Sequence, residues 1–198
     1  LMYALPEQSL DEALADLEQA IALGPAHLSH YQLTLEPGTA FERRPPRLPD
    51  DETAYAMQAA CQARLASAGY RHYEVSAYAQ PGRECRHNLN YWRFGDYLGI
   101  GAGAHGKVTD AARGRVVRTA RVKQPGRYLA AIQSAARLEE VREVGAADLG
   151  FEFCLNALRL REGFDAASFE SRTGQPWLAI AGSVAAAIDR GLLAAGPD

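Results

Sequence analysis

Through its first eighty residues the chain alternates between helix-spaced and strand-forming segments, with the breaks at glycine and proline. Ser9 followed by Glu12 is a capping-box pattern. Leu10, Leu14, Leu17 and Ile21 then recur at helical spacing until Gly24-Pro25 stops the helix. "HLSHYQLTLEP" is rich in strand formers and closes at Pro37. In the loop "GTAFERRPPRLPDD", Pro45 and Pro46 stiffen the chain, and Asp50 or Asp51 can cap a second helix that runs to about Ala68, before Gly69. "YRHYEVSAYA" returns to strand. With the apolar run "LMYALP" at the front the order is β-α-β-α-β, which predicts right-handed crossovers and a parallel sheet.

The rhythm breaks after Gly82. "RHNLNYWRFGDYLGIGAGAHG", Arg86 to Gly106, gathers two histidines, two tyrosines, a tryptophan, a phenylalanine and five glycines, and reads as short extended pieces interrupted by glycine. "GKVTDAARGRVVRT" reads as a β-hairpin turning at Asp110 to Gly114, and a helix begins near Pro125. From Ala146 three helical patterns follow: Asp148 to Leu160, Asp165 to Arg172, and Pro176 to Leu192. The last keeps Leu178, Ala181, Ala185, Ile188 and Leu192 on one face. The expected organisation is a β/α portion over residues 1–80, a sheet extension over 81–145 and a helical C-terminal domain over 146–198.

With 198 residues, 47% of them hydrophobic, 23% charged and a net charge of -3, the chain has the composition of an ordinary globular protein with a sizeable core. No apolar run approaches the ~18 residues a membrane span needs, so a cytoplasmic protein is expected. The chain starts in a strand-like run without an initiating Met, so we expect a piece of a longer protein. Cys61, Cys85 and Cys154, spaced 24 and 69 apart, form neither a disulfide framework nor a zinc pattern. Cys61 shares a helix face with Ala54, Met57 and Leu65. Cys154 shares one with Phe151, Leu155 and Leu158, so both thiols are expected in cores.

Gly101, Gly103 and Gly106 satisfy the G-x-G-x-x-G expression of a dinucleotide site, but a hairpin follows them where a helix N-terminus should hold the pyrophosphate. The glycines are better read as letting the backbone pass close to a ligand or another strand. "HNLNYW" carries more chemistry. His87 offers an imidazole nitrogen, Tyr91 and Trp92 offer flat faces with polar handles, and Asn88 and Asn90 can fix backbone. Such a set suits a planar, iron-bearing ligand. It equally suits a histidine bonded to a nearby carbonyl beside core aromatics, and His105, flanked by glycine, has the same two readings. His27, His30 and His72 read as strand residues. Between Lys107 and Arg127 seven Lys or Arg face one acid, Asp110, a patch able to hold carboxylates or phosphates, or to lie solvated on a hairpin face. From Ala146 on, four arginines face seven acids, Asp198 included, which argues against a nucleic-acid partner.

Taken together, "LMYALPEQS", "LSHYQLTLEPGT", "YEVSAYAQPGRECRHNLNYWRFGDYLGIGAGAHG" and "FEFCLNALRLREGF" resemble the radical S-adenosylmethionine proteins related to oxygen-independent coproporphyrinogen III oxidase. The resemblance is greatest to their HemW-type haem-chaperone branch. It implies an α/β fold: the C-terminal part of an incomplete (β/α) barrel over residues 1–80, followed by a small helical, winged-helix-like C-terminal domain. It also implies that His87, Asn88, Tyr91 and Trp92 are the haem-binding H-N-x-x-Y-W block, with His87 on the iron; His105, from the reading of the residues, is kept as a further cofactor-binding candidate. The family's [4Fe-4S] cluster is held through C-x3-C-x2-C and binds S-adenosylmethionine; this chain has no such spacing. The expected partners are haem or porphyrin and recipient haem proteins of respiration, with peripheral association with membrane complexes. The alternative implied activity is oxidative decarboxylation of coproporphyrinogen III.

Overall fold

The computed structural model describes residues 1–196; Asp198, one of the acids counted above, lies outside the described residues. The chain divides into two compact units, Leu1–Arg86 and a second from His87 onward.

The first unit contains β1 (Met2–Tyr3), α1 (Leu10–Ala22), β2 (His27–Ser29), β3 (Tyr31–Gln32), the short α2 (Ala40–Arg43), α3 (Asp51–Ser67), β4 (Arg71–Glu74) and β5 (Ala77–Ala79). The expected caps form. Ser9 and Glu12 close a reciprocal capping box on α1, and the Asp50 carboxylate accepts from the Thr53 N–H at the start of α3. The single parallel sheet does not form. β1 and β3 pair in parallel across the α1 crossover, as neighbouring barrel strands would, with Met2 opposite Tyr31. β2, β5 and β4 form a separate antiparallel sheet in that order.

Two local events cause the difference. The segment read as one strand, "HLSHYQLTLEP", changes partner at His30, whose N–H donates to the Ser76 carbonyl (2.8 Å) while the next N–H, of Tyr31, donates to the Leu1 carbonyl (3.2 Å). "YRHYEVSAYA" folds back on itself at Val75-Ser76, helped by a bulge between His72 and Glu74. His30 is buried and stacked on Tyr3 (4.8 Å between centroids), and burial pulls its imidazole down to about 4.

The unit's core lies where α1 and α3 meet the strands: Tyr3, Ala13 and Leu17 pack with Ala54, Met57, Cys61 and Leu65, and with Tyr70 and Tyr78. Burying Leu17, Met57 and Leu65 completely contributes about 1.5–3 kcal/mol each, before chain entropy is charged. Cys61 therefore behaves as the small core residue its spacing predicts, and burial pushes its thiol up.

The second unit starts with α4 (Arg86–Trp92), which spans the division, and continues with β6 (His105–Asp110), β7 (Arg115–Arg121), α5 (Pro125–Ala130), β8 (Leu138–Glu143), α6 (Ala146–Ala157), α7 (Ala166–Thr173) and α8 (Leu178–Asp189). The β6–β7 hairpin turns where expected, and β8 adds to the free edge of β7. The six residues of β8, "LEEVRE", are almost all exposed, so they carry no alternation that would mark a strand.

The core gathers Phe94, Val116 and Val144 with Leu149, Phe153, Ala157, Phe169 and Ile180. Phe153 is its hub, edge-on to Phe94, Phe164 and Phe169 at 5.7, 5.0 and 5.2 Å. The expected core face of α6 is thereby corrected. Leu149, Phe153 and Ala157 point inward, while Phe151, Leu155 and Leu158 are exposed; Cys154, half-buried, still packs against the core as expected. In α8 the inward residue is Ile180, with Trp177 and Val184 packed nearby; Leu178 and Leu192 of the expected stripe are exposed.

Candidate functional site

The stretch "HNLNYW" is helical rather than extended, and the reason lies at its C-terminal end. Phe94 adopts a left-handed backbone (φ 53°), and the Gly95 N–H reaches back to the Asn90 carbonyl (2.7 Å), closing a C-cap. A Cβ on Gly95 would stand 2.7 Å from the Asn90 backbone carbonyl oxygen, so only glycine fits without a shift of the helix end. The Asn90 amide donates to the Asp96 carbonyl (2.9 Å), which fixes the turn. Left-handed backbone strains a phenylalanine, and burial of the Phe94 ring against Phe153 compensates.

On this helix the motif residues fall into two adjacent stripes, each joining residues one turn apart. His87 is exposed, and the Tyr91 ring meets it edge-on at 4.8 Å and 79°. Tyr91 also packs on Tyr97, 4.3 Å away. The second stripe is Asn88 and Trp92, both half-buried. The Arg159 guanidinium lies over the Trp92 ring at 4.2 Å, and the buried indole Nε1 has no hydrogen-bond partner among the described residues. Arg93 anchors the helix end through Glu162 (2.8 Å). His87 is therefore presented outward with the half-buried Tyr91 against it, and Trp92 is already engaged by Arg159.

His105 is not brought to this helix. It opens β6 opposite Ala120, exposed at the rim of a recess of about 580 Å³ that it shares with Arg118, Glu152 and Leu155. No ring contact or hydrogen bond joins it to α4 among the described residues.

The glycine run serves the backbone. A Cβ on Gly99 would stand 2.2 Å from the His105 carbonyl oxygen, because the loop before β6 lies directly against that strand. Gly106 is itself in β6, so the dinucleotide reading fails where the sequence said it would.

The basic patch dissolves on inspection. Lys107 is 1% exposed and donates its ammonium to the Phe94 carbonyl (3.0 Å) and Asp96 (2.9 Å), above the Phe94 ring. Arg113 and Arg115 pair with Asp110, Arg118 pairs with Glu152, and Arg121 donates to the Gly99 carbonyl. Of the seven cations, Lys123 and Arg127 are exposed without an ion pair among the described residues, too few for a carboxylate-binding field.

Burial lowers the Lys107 ammonium, with Asp96 opposing. For Asp96 burial resists ionisation, yet the bonds from Lys107 and Thr109 outweigh it and hold the carboxyl below its ordinary range. Among the described residues no group of three or more His, Cys, Asp or Glu could hold a metal ion.

Sequence reasoning assigned no site role to Tyr97 or Glu152 and placed Arg118 only in the basic patch, yet Tyr97 packs on Tyr91 and the other two stand behind it. The Tyr97 hydroxyl accepts from Arg118 (2.9 Å), and Glu152 takes Arg118 and Arg142 on its two oxygens. Tyr97 was visible as the second tyrosine of the aromatic stretch. Glu152, on another element, gave no local signal.

Comparison with known proteins completes the description. A family described as "HemN C-terminal domain" matches residues 145–195. Among curated relatives, "Heme chaperone HemW" of Escherichia coli is 52% identical over 88% of this chain and 45% of its own length. The protein of the same name from Haemophilus influenzae is 46% identical over 100% of this chain and 50% of its own length. That from Mycobacterium tuberculosis is 39% identical over 82% and 42%. The chain spans about half the length of the curated relatives it matches. A solved structure, "Coproporphyrinogen III oxidase (HemN) from Escherichia coli is a Radical SAM enzyme", superposes on 96% of this chain and 45% of its own with a TM-score of 0.69; at 17% identity that likeness speaks for the fold.

Proposed function

The chain belongs to the radical S-adenosylmethionine family related to coproporphyrinogen III oxidase, in its HemW branch, and from that premise we propose that the intact protein binds haem through His87 and passes it to haem proteins of respiration. The observation that carries the reading is the outward pair on α4: an exposed imidazole with a tyrosine ring against its edge.

An imidazole on an open helix face can ligate iron from one side while leaving most of the macrocycle reachable. That arrangement holds its cargo by one coordinate bond and a modest buried area, which suits a carrier that must let go. Tyr91 limits how the imidazole can turn, and Trp92, pinned by Arg159, keeps the helix on its support. Asn90 has a structural part in this scheme, through the Asp96 turn. His105, on β6 and without a ring contact or hydrogen bond to α4 among the described residues, has no part in this scheme.

The residues of this chain do not fit an iron–sulfur cluster. Cys61 is buried in the first core, Cys154 lies in α6 and Cys85 precedes α4. The cluster and S-adenosylmethionine of the intact protein are therefore assigned to residues outside this chain, with a binding or regulatory part. A cytoplasmic location with transient approach to membrane-bound recipients completes the proposal; among the described residues no helix is long and apolar enough to cross a membrane.

The decarboxylase alternative has the fold likeness in its support and nothing in the α4 pair. Haem-loaded intact protein mixed with an apo-haem protein separates the two. Transfer of the Soret absorbance to the acceptor, with no product from coproporphyrinogen III after cluster reconstitution, is the expected result. Turnover of coproporphyrinogen without haem transfer contradicts it.

A further inference from the structure

We propose that Tyr97 is a positioning residue for the His87–Tyr91 pair, carrying to α4 the ion-paired frame that ties β7, β8 and α6 together. The proposal rests on the haem reading above and deepens it.

Helix α4 has seven residues, too few to hold its own side chains in place in water. Tyr91 sits between two rings, with His87 at 4.8 Å and Tyr97 at 4.3 Å. Of these, only Tyr97 is fixed at both ends. Its backbone exchanges two hydrogen bonds with Lys107, each 2.9 Å, which pins its Cα to β6. Its hydroxyl accepts from Arg118 Nη1 at 2.9 Å.

Arg118 is not free to wander. Its Nε and Nη2 both donate to Glu152 Oε2, at 2.9 and 2.7 Å, and the other Glu152 oxygen accepts from Arg142 at 2.9 Å. Glu152 is largely shielded, its side chain 15% exposed. Burial resists its ionisation, but the two guanidiniums outweigh that and keep it a carboxylate.

The chain of contact therefore runs from α6 and β8 through Glu152 and Arg118 to Tyr97, then to Tyr91 and the imidazole. A tyrosine that merely filled space would not need a charge-assisted bond at its hydroxyl to a side chain that is itself locked. The consequence is that the C-terminal helices set the angle at which His87 meets iron.

The test uses the intact protein and haemin as the probe, comparing wild type with Tyr97→Leu, Tyr97→Phe and His87→Ala. Affinity is read by titration, and the position and width of the Soret band report ligand geometry. Loss of a group that orients a metal ligand weakens binding by about 10- to 100-fold, so Tyr97→Leu is expected to fall in that range with a shifted band. Tyr97→Phe, which keeps the ring and loses the Arg118 bond, should bind less tightly than wild type but more tightly than Tyr97→Leu, with a band broader than that of wild type.

Wild-type affinity and band shape in Tyr97→Leu overturn the proposal. Should Tyr97→Leu fail to fold, an unbroadened band in Tyr97→Phe overturns it instead. Undiminished binding in His87→Ala is a different failure, since it removes the haem premise whatever Tyr97 does.

Discussion

Lys107 shows how far one residue can depart from its sequence context. It opens a run of cations and reads as surface, yet its ammonium is buried over the Phe94 ring, with Asp96 as counter-charge. Asp96→Asn leaves that ammonium uncompensated. A fully buried pair broken this way costs about 3–5 kcal/mol; because the Asp96 side chain is 43% exposed, we expect about 2 kcal/mol, read as a lowered midpoint in urea unfolding. The pH dependence follows from the direction of the Asp96 shift. Its folded-state value lies below the ordinary 3.8, so the stability it contributes is complete above the unfolded value and is lost as pH falls through the folded one. Wild type should therefore lose stability more steeply below about pH 4 than Asp96→Asn does, and equal slopes would remove Asp96 from the account.

At the scale of elements, α6 is the most informative. Its apolar residues fit two faces, and the one chosen from spacing, with Phe151, Leu155 and Leu158, is the exposed one. Phe153→Ala is expected to cost about 3–5 kcal/mol, whereas Phe151→Ser should stay within about 0.5 kcal/mol of wild type in the same unfolding experiment. Reversed magnitudes would mean that the helix is turned the other way. Elements whose ends are written locally were legible: the Ser9–Glu12 box of α1, the Asp50 cap of α3 and the β6–β7 turn. Elements decided at a distance were not. β2 and β3 divide because His30 bonds to Ser76, forty-six positions on, and β8 exists because β7 offers an edge. The candidate site divides the same way. His87 and Tyr91 were readable as a motif, while the helix that presents them depends on Phe94 and Gly95 closing its end. The Tyr97–Arg118–Glu152 support, drawn from three elements, was not readable at all.

For the whole molecule, each unit has its own core, and the motif helix opens the second, braced by Trp92–Arg159, Arg93–Glu162 and Phe94–Phe153. The likeness to HemW relatives over nearly the whole chain and the exposed His87 with Tyr91 against it are what support the role we propose, a helix that offers one iron ligand to a transferable haem. That claim is tested most directly by titrating the intact protein with haemin and following the Soret band, wild type beside His87→Ala. The account predicts saturation near one equivalent for wild type and loss or displacement of the band in the variant. Identical titrations of the two proteins would contradict it and return His87 to the surface of a helix with no iron to hold.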